Sequence, residues 1–226
     1  MGSALASTPE ASTPDRLLAA ATTLFANQGF QGTSIRDIAE LANANVASGH
    51  YHYGSKEGLY VEVLRAHFKE IRARLATPGL RATPTVLRRS SRRKLVQLLE
   101  ARICAIFDVL VGPPASPYGA LVQREMVDPT DALPIIVNEF IRPQTKEMET
   151  LLAALAPHLD REALKLTTLS VFGQVLFYRF NMPAVLLLLN RPTYPRGFNR
   201  KIARHIASLS LGGVLSRQKG RKPSAA

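Results

Sequence analysis

The chain is poor in the residues that carry most extracellular and catalytic chemistry. It has one cysteine, Cys104, no tryptophan, and five histidines. A single thiol cannot close an internal disulfide, which excludes a secreted disulfide scaffold. No apolar run approaches the roughly 18 residues that a membrane span needs, so no membrane partner is expected. The opening residues, MGSALASTPEASTPDR, lack a basic stretch followed by an apolar one. That argues against a signal peptide and points to the cytoplasm. The histidines show neither HxxxH nor HExxH spacing, and none lies near Cys104 in sequence. No metal site or Cys–His nucleophile is therefore written locally, and neither an enzyme nor a cofactor is expected. No segment alternates with period two for long enough to require a strand.

What is present is a chain of 226 residues, 46% hydrophobic and 20% charged, enough apolar side chain for one large domain or two modest ones. A net charge of +12 invites a nucleic-acid reading, but the charge is unevenly placed. Residues 1–75 hold seven basic and seven acidic side chains and are neutral. The surplus comes later, in Arg88, Arg89, Arg92, Arg93 and Lys94, in Arg196, Arg200, Lys201 and Arg204, and in Arg217, Lys219, Arg221 and Lys222.

Residues 1–13 are mostly Ala, Ser, Thr and Pro without periodicity and read as a mobile arm. Thr13-Pro14-Asp15 supplies a capping hydroxyl, a tolerated proline and a first-turn acid. Leu17, Ala21, Leu24 and Phe25 then make one helical stripe that Gly29 stops. A second helix of about two turns starts after Thr33-Ser34, with Ile35, Ile38, Ala39 and Ala42 on one face. A third short element runs from Val46 to His52, and a longer helix begins at Lys56. After Thr77 a Pro- and Arg-rich stretch reads as a linker. Helical patterns follow from Arg92 to Val111, Leu121 to Val127, Asp131 to Leu155, Asp160 to Phe180 and Asn199 to Leu215. Pro143 inside the third of these predicts a kink near Asn138 or Glu139. The fold class is all-α.

Two short helices separated by about four residues and buttressed by longer ones are the arithmetic of a helix-turn-helix. The residues LLAAATTLFANQGFQGTSIRDIAELANANVASGHYHYGSKEGLY closely resemble the N-terminal DNA-binding domain of TetR-family regulators, over residues 14–64 without a gap. The resemblance implies that Asn45, Val46, Ala47, Ser48, His50 and Tyr51 face the major groove of a double-stranded operator. It further implies that His52 and Lys56 meet phosphates, while Thr33, Ser34 and Arg36 anchor the preceding helix on the opposite strand's backbone or the groove edge. Tyr53 is expected in the core. Gly49 departs from the pattern, since the family has an apolar side chain there. About 1 kcal/mol of helix propensity and a packed side chain are missing, which predicts a helix that DNA must order. The basic cluster at 88–94 reads as a solvated helix start rather than a DNA contact.

In the second half, VQREMVDPT from Val122 and GQVLFYRF from Gly173 resemble the CerR-type (also called CecR-type) C-terminal domain of one TetR branch, as does NVAS at Asn45. This implies a helical ligand-binding and dimerisation domain and a regulator associated with transporter genes. The expected layout is an arm at 1–13, the DNA-binding domain at 14–75, a linker at 76–91, the second domain at 92–216 and a basic tail at 217–226. Leu169, Phe172, Gly173 and Leu176, with Ile202, Ile206, Leu209 and Gly213, form two stripes suited to a homodimer, core packing being the competing reading. Phe107, Arg124, Glu125, Gln174, Tyr178 and Arg179 are the candidate contacts for an unidentified small-molecule effector. Arg179 could instead pair with Glu125, and Phe107 could simply be core. The function expected is a ligand-responsive, sequence-specific transcriptional regulator, a repressor of a palindromic operator. The alternative is a dimeric DNA-binding protein that senses no small molecule.

Overall fold

The first four helix starts are set by small polar side chains, and one of them differs from expectation. The first helix, α1 (Thr13–Gln28), is capped by Ser12, whose hydroxyl accepts from the Asp15 amide. Thr13 itself is already helical, because Ser12 reaches the Asp15 amide three residues on, and Pro14 is tolerated in the first turn where its missing N–H has no partner to lose. A glycine with φ +78° ends α1 at Gly29. Helix α2 (Ile35–Leu41) begins with a capping box in which Ser34 and Asp37 satisfy each other's backbone amides. Asn45 caps α3 (Val46–Tyr53) by accepting from the Ala47 amide at 2.9 Å. Ser55 accepts from the Gly58 amide at 3.1 Å and so opens α4 (Lys56–Leu75).

The computed structural model describes residues 11–76, 80, 83–111 and 117–220, and every regular element among them is helical. Most of the expected arm, parts of the linker, and Arg221 and Lys222 of the tail lie outside the described residues. Beyond α4 come α5 (Pro84–Arg89), α6 (Arg92–Val111), α7 (Pro117–Val127) and α8 (Leu133–Ile136). A π-helical turn (Val137–Ile141) leads into α9 (Arg142–Leu155), followed by α10 (Arg161–Phe180), α11 (Met182–Leu188) and α12 (Phe198–Gly220). The π turn falls where Pro143 predicts a kink. A proline has no N–H for the carbonyl one turn back, and the wider turn accommodates the break.

The chain divides into two compact units whose boundaries differ from the expected domains. One contains the described residues up to 69 together with 117–136, the other 70–111 and 137–220. Helices α7 and α8, expected in the second domain, thus belong with the helix-turn-helix. The reason is packing: α7 lies along α1, with Leu121 and Glu125 fully buried. The core of this unit is Leu17, Phe25, Ile38, Leu59 and Leu121, each fully buried, with Tyr60 edge-on to Phe25 at 5.0 Å. Full burial of each such side chain stabilises by roughly 1.5–3 kcal/mol.

In the second unit α6 is the central helix, touching α9, α10 and α12. Leu99, Ile103, Met148, Leu152 and Ile206 fill its core. Arg102 is buried among them. Its guanidinium donates to the Leu75 carbonyl at 3.2 Å and to Gln144 Oε1 at 2.6 Å, and pairs with Glu147 at 2.7 Å. Burial pulls its pKa down and Glu147 holds it up. The basic stretch that was expected to be solvated is partly used: Arg92 donates to the Leu155 carbonyl at the end of α9 at 2.9 Å.

Candidate nucleic-acid interface

Helix α3 presents two unlike faces. Asn45, Val46, Ala47, His50, Tyr51 and His52 are exposed, Tyr51 by 85%, while Ser48 is half-buried. Gly49 is buried and Tyr53 half-buried. The Tyr53 hydroxyl donates to the Pro14 carbonyl at 2.9 Å, and burial pushes its pKa up. Tyr53 therefore holds α3 against α1 from a half-buried position rather than from the core place expected of it. The Gly49 departure has a packing counterpart, since a Cβ built there would stand 3.4 Å from Ile35 Cγ2. Close approach of α2 replaces the missing side chain. An exposed helical face of this width is what the major groove admits.

His50 Nδ1 lies 3.2 Å from the Gly54 carbonyl. In the tautomer that donates there, Nε2 is left as an outward acceptor. Ser34 spends its hydroxyl on the capping box, and Arg36 is exposed. Two of the expected phosphate contacts are differently employed. Thr33 is only 2% exposed and its hydroxyl donates to the Gly29 carbonyl at 2.9 Å, so it braces the loop instead of facing DNA. Lys56 donates to the Phe30 carbonyl at 3.0 Å and rests 4.3 Å above the Phe30 ring. Its ammonium is held by the protein before any phosphate arrives. Arg16, which sequence reasoning passed over, donates to the Ala42 carbonyl at 3.1 Å and to Asn43, closing the end of α2. Nothing in the sequence marks this clamp, because its partners are backbone oxygens 26 and 27 residues away.

The expected effector contacts are divided between the two units. Arg124 and Glu125 sit in the helix-turn-helix unit, beside a concavity of about 420 Å³ also lined by Phe30 and Tyr60. Arg124 donates to the Asn27 carbonyl at 3.2 Å. Glu125 accepts from Tyr60 at 3.0 Å and from the Thr130 amide and hydroxyl at 2.7 and 2.9 Å. Its carboxylate is thus satisfied without Arg179. Phe107, Gln174, Tyr178 and Arg179 belong to the second unit. Phe107 is buried against Tyr178, Tyr194 and Phe198, which favours the core reading, and Gln174 donates to the Ser170 carbonyl.

The two stripes expected at a dimer surface are divided by burial. Ile202 and Ile206 are 5% and 1% exposed within one chain and so belong to its core, on the helix that packs against α6 and α10. Leu169 and Leu209 are exposed, as is Gly173, where a Cβ would meet nothing within 4 Å; Phe172 and Leu176 are half-buried and Gly213 is exposed.

Residues 17–63 match the family described as bacterial regulatory proteins, tetR family, and residues 92–214 match the C-terminal domain of the HTH-type transcriptional dual regulator CecR. The chain is 26% identical to CecR of Shigella flexneri over 76% of this chain and 78% of that protein. It is 46% identical to the repressor KstR2 of Mycolicibacterium smegmatis over 24% of this chain and 27% of that protein. A match of 32% identity to YttP of Bacillus subtilis, a probable HTH-type transcriptional regulator, spans 44% of this chain but only 42% of that protein. Among solved structures, SCO3833 of Streptomyces coelicolor, a TetR-family member, superposes with a TM-score of 0.54 to 0.55 alongside a regulator from Aquifex aeolicus. Identities are 19% and 18%, with 93% and 88% of this chain and 96% and 99% of theirs covered. At that identity the likeness shows the fold alone. These matched relatives are transcriptional regulators rather than enzymes. With its helix-turn-helix and the CecR-type match over more than half of its length, the chain belongs to the TetR family of DNA-binding transcriptional regulators.

Proposed function

We propose that the protein is a repressor that binds a palindromic operator as a homodimer and is released by a small-molecule inducer, with transporter genes the first targets to search. The observation that carries this reading is the exposed face of α3, where Tyr51 and His50 project beside Val46 and Ala47 while Tyr53 and Gly49 seat the helix. Leu166, Leu169 and Phe177 on α10 and Leu209 on α12 leave large apolar side chains about half exposed, which supports burial of these faces against a second copy. Symmetric half-sites then follow from a twofold dimer.

Selection of bound fragments from genomic DNA, followed by footprinting, tests the proposal. A short twofold-symmetric site, lost in Tyr51→Ala and in Arg36→Ala, is expected. Retention of binding by both variants, or no enrichment over random sequence, would sink it. Light scattering of Leu169→Glu with Leu209→Glu tests the dimer, the expected outcome being a monomer that keeps its helical content.

A regulator that senses no small molecule remains the second reading, and one observation favours it. Arg124 and Glu125, two of the expected effector contacts, already have their hydrogen bonds inside the protein.

A further inference from the structure

Between α11 and α12, in the second unit, the chain folds into a basin of about 310 Å³. Leu189, Pro195 and Phe198 form its apolar wall, Arg191, Arg196 and Lys201 bring three cations to it, and no carboxylate lines it. Residues 189–204 contain five basic side chains and no acidic one. Among the described residues none of the three lining cations makes an ion pair or a side-chain hydrogen bond. Asp108, which reaches this part of the fold, is already taken by Asn199 Nδ2 at 2.7 Å.

Ring packing fixes Phe198, one side of the apolar wall. Phe198 lies parallel to Tyr194, with ring centres 4.8 Å apart and 4° between planes, and Phe107 backs both rings. Tyr194 donates its hydroxyl to the Tyr178 carbonyl at 2.7 Å. Gly197, at φ +79°, sets the turn that brings Arg196 and Lys201 to one rim. Phe107 and Tyr178, singled out from the sequence as ligand contacts, therefore stand behind the wall rather than in the basin.

Three like charges around one concavity repel each other, and an anion relieves that repulsion. Guanidinium groups match the two oxygens of a carboxylate or phosphate, and the wall of leucine, proline and phenylalanine rewards an apolar body beside the charge. We infer that this basin binds a small soluble organic anion, a carboxylate or phosphate ester carried on a compact apolar or aromatic body. The volume is at the lower end for small-molecule sites, which suits a compact ligand. The inference supplies a ligand class for the inducer proposed above and rests on that reading only for its effect on DNA binding.

Titration calorimetry of the full chain with phenyl phosphate, and in parallel with inorganic phosphate, tests it. Phenyl phosphate is expected to bind one per chain and about tenfold more tightly than inorganic phosphate. Arg196→Gln with Lys201→Gln should weaken it by about tenfold or more, as expected for lost charge-assisted bonds. Arg196→Lys should retain most of the affinity, and Arg88→Gln with Arg89→Gln, outside the basin, should retain all of it. Equal affinity for the two phosphates, or equal weakening in the outside pair, would overturn the inference. So would capture by vesicles containing phosphatidylglycerol when neither soluble phosphate binds. Operator binding is measured separately on each form. Its loss in the wild type would remove the regulator reading while leaving anion binding to be judged by calorimetry.

Discussion

Tyr60 donates its hydroxyl to the Glu125 carboxylate at 3.0 Å, and both side chains are buried although 65 residues separate them. The second carboxylate oxygen accepts from the Thr130 amide and hydroxyl. A helix from the second half of the sequence is thereby fastened inside the helix-turn-helix unit. Tyr60→Phe removes one hydrogen bond to a charged group, and a loss of about 1.5–3 kcal/mol is expected. Glu125→Ala should cost more, since it leaves the Tyr60 hydroxyl and the Thr130 amide without their partner. Urea unfolding of the two variants measures both, and an unchanged midpoint in Glu125→Ala would refute the fastening.

The same contact predicts alkaline behaviour. Burial, then the nearby Glu125 charge and its hydrogen bond, push the Tyr60 hydroxyl well above its ordinary value of 10.0. Above pH 10 the unfolded chain releases this proton and the folded chain keeps it. The stabilisation is therefore complete below that pH and lost as pH rises through the folded value. Tyr53, Tyr178 and Tyr194 are shifted in the same direction, so the diagnostic is a difference. Thermal melts from pH 9 upward should fall less steeply in Tyr60→Phe than in wild type.

Gly49→Ala should stabilise α3. Its new methyl would meet Ile35 at ordinary contact distance, and alanine gains about 0.8–1.0 kcal/mol over glycine within a helix. A higher melting temperature and tighter operator binding are expected. Gly49→Leu should do neither, because the space toward Ile35 admits little more than a methyl.

Arg102 and Glu147 make a one-sided ion pair, with side chains 4% and 50% exposed. Glu147→Gln strands a buried cation with neutral partners, whereas Glu70→Gln breaks only the exposed pair with Arg74. The first should cost more than the second, which lies within about 0–1 kcal/mol. Equal costs by urea unfolding would show that Leu75 and Gln144 alone satisfy the guanidinium.

Salt dependence tests how DNA is held. Arg36 is exposed while Arg16 and Lys56 are engaged within the protein, so few cations per chain are free for phosphate. With about two phosphate contacts per chain in a dimer, log K against log salt should fall with a slope near −4. Anisotropy titrations across a range of salt would read it, and a slope of about −8 or steeper would bring the basic linker or tail into the interface.

The sequence by itself determined the longer helices, the helix-turn-helix and the outward face of α3, but not α5, which lies in the expected linker, or α11, which follows Asn181. The former follow from signals within one or two turns: Ser34 with Asp37, the Asn45 cap, and the apolar spacing of Leu17, Ala21 and Phe25. Only the tertiary structure decided which polar side chains are free to act. Thr33 and Lys56 read in sequence as groups for DNA and Arg16 reads as nothing in particular, yet backbone carbonyls brought near by folding claim all three. Ile202 and Leu209 share one helical stripe, but only the first is buried within the chain. Periodicity tells that a face is apolar and leaves open whether the same chain or another covers it. The placement of α7 with the helix-turn-helix was hidden for the same reason, since a hydrogen bond between Tyr60 and Glu125 depends on the path of all 65 residues between them.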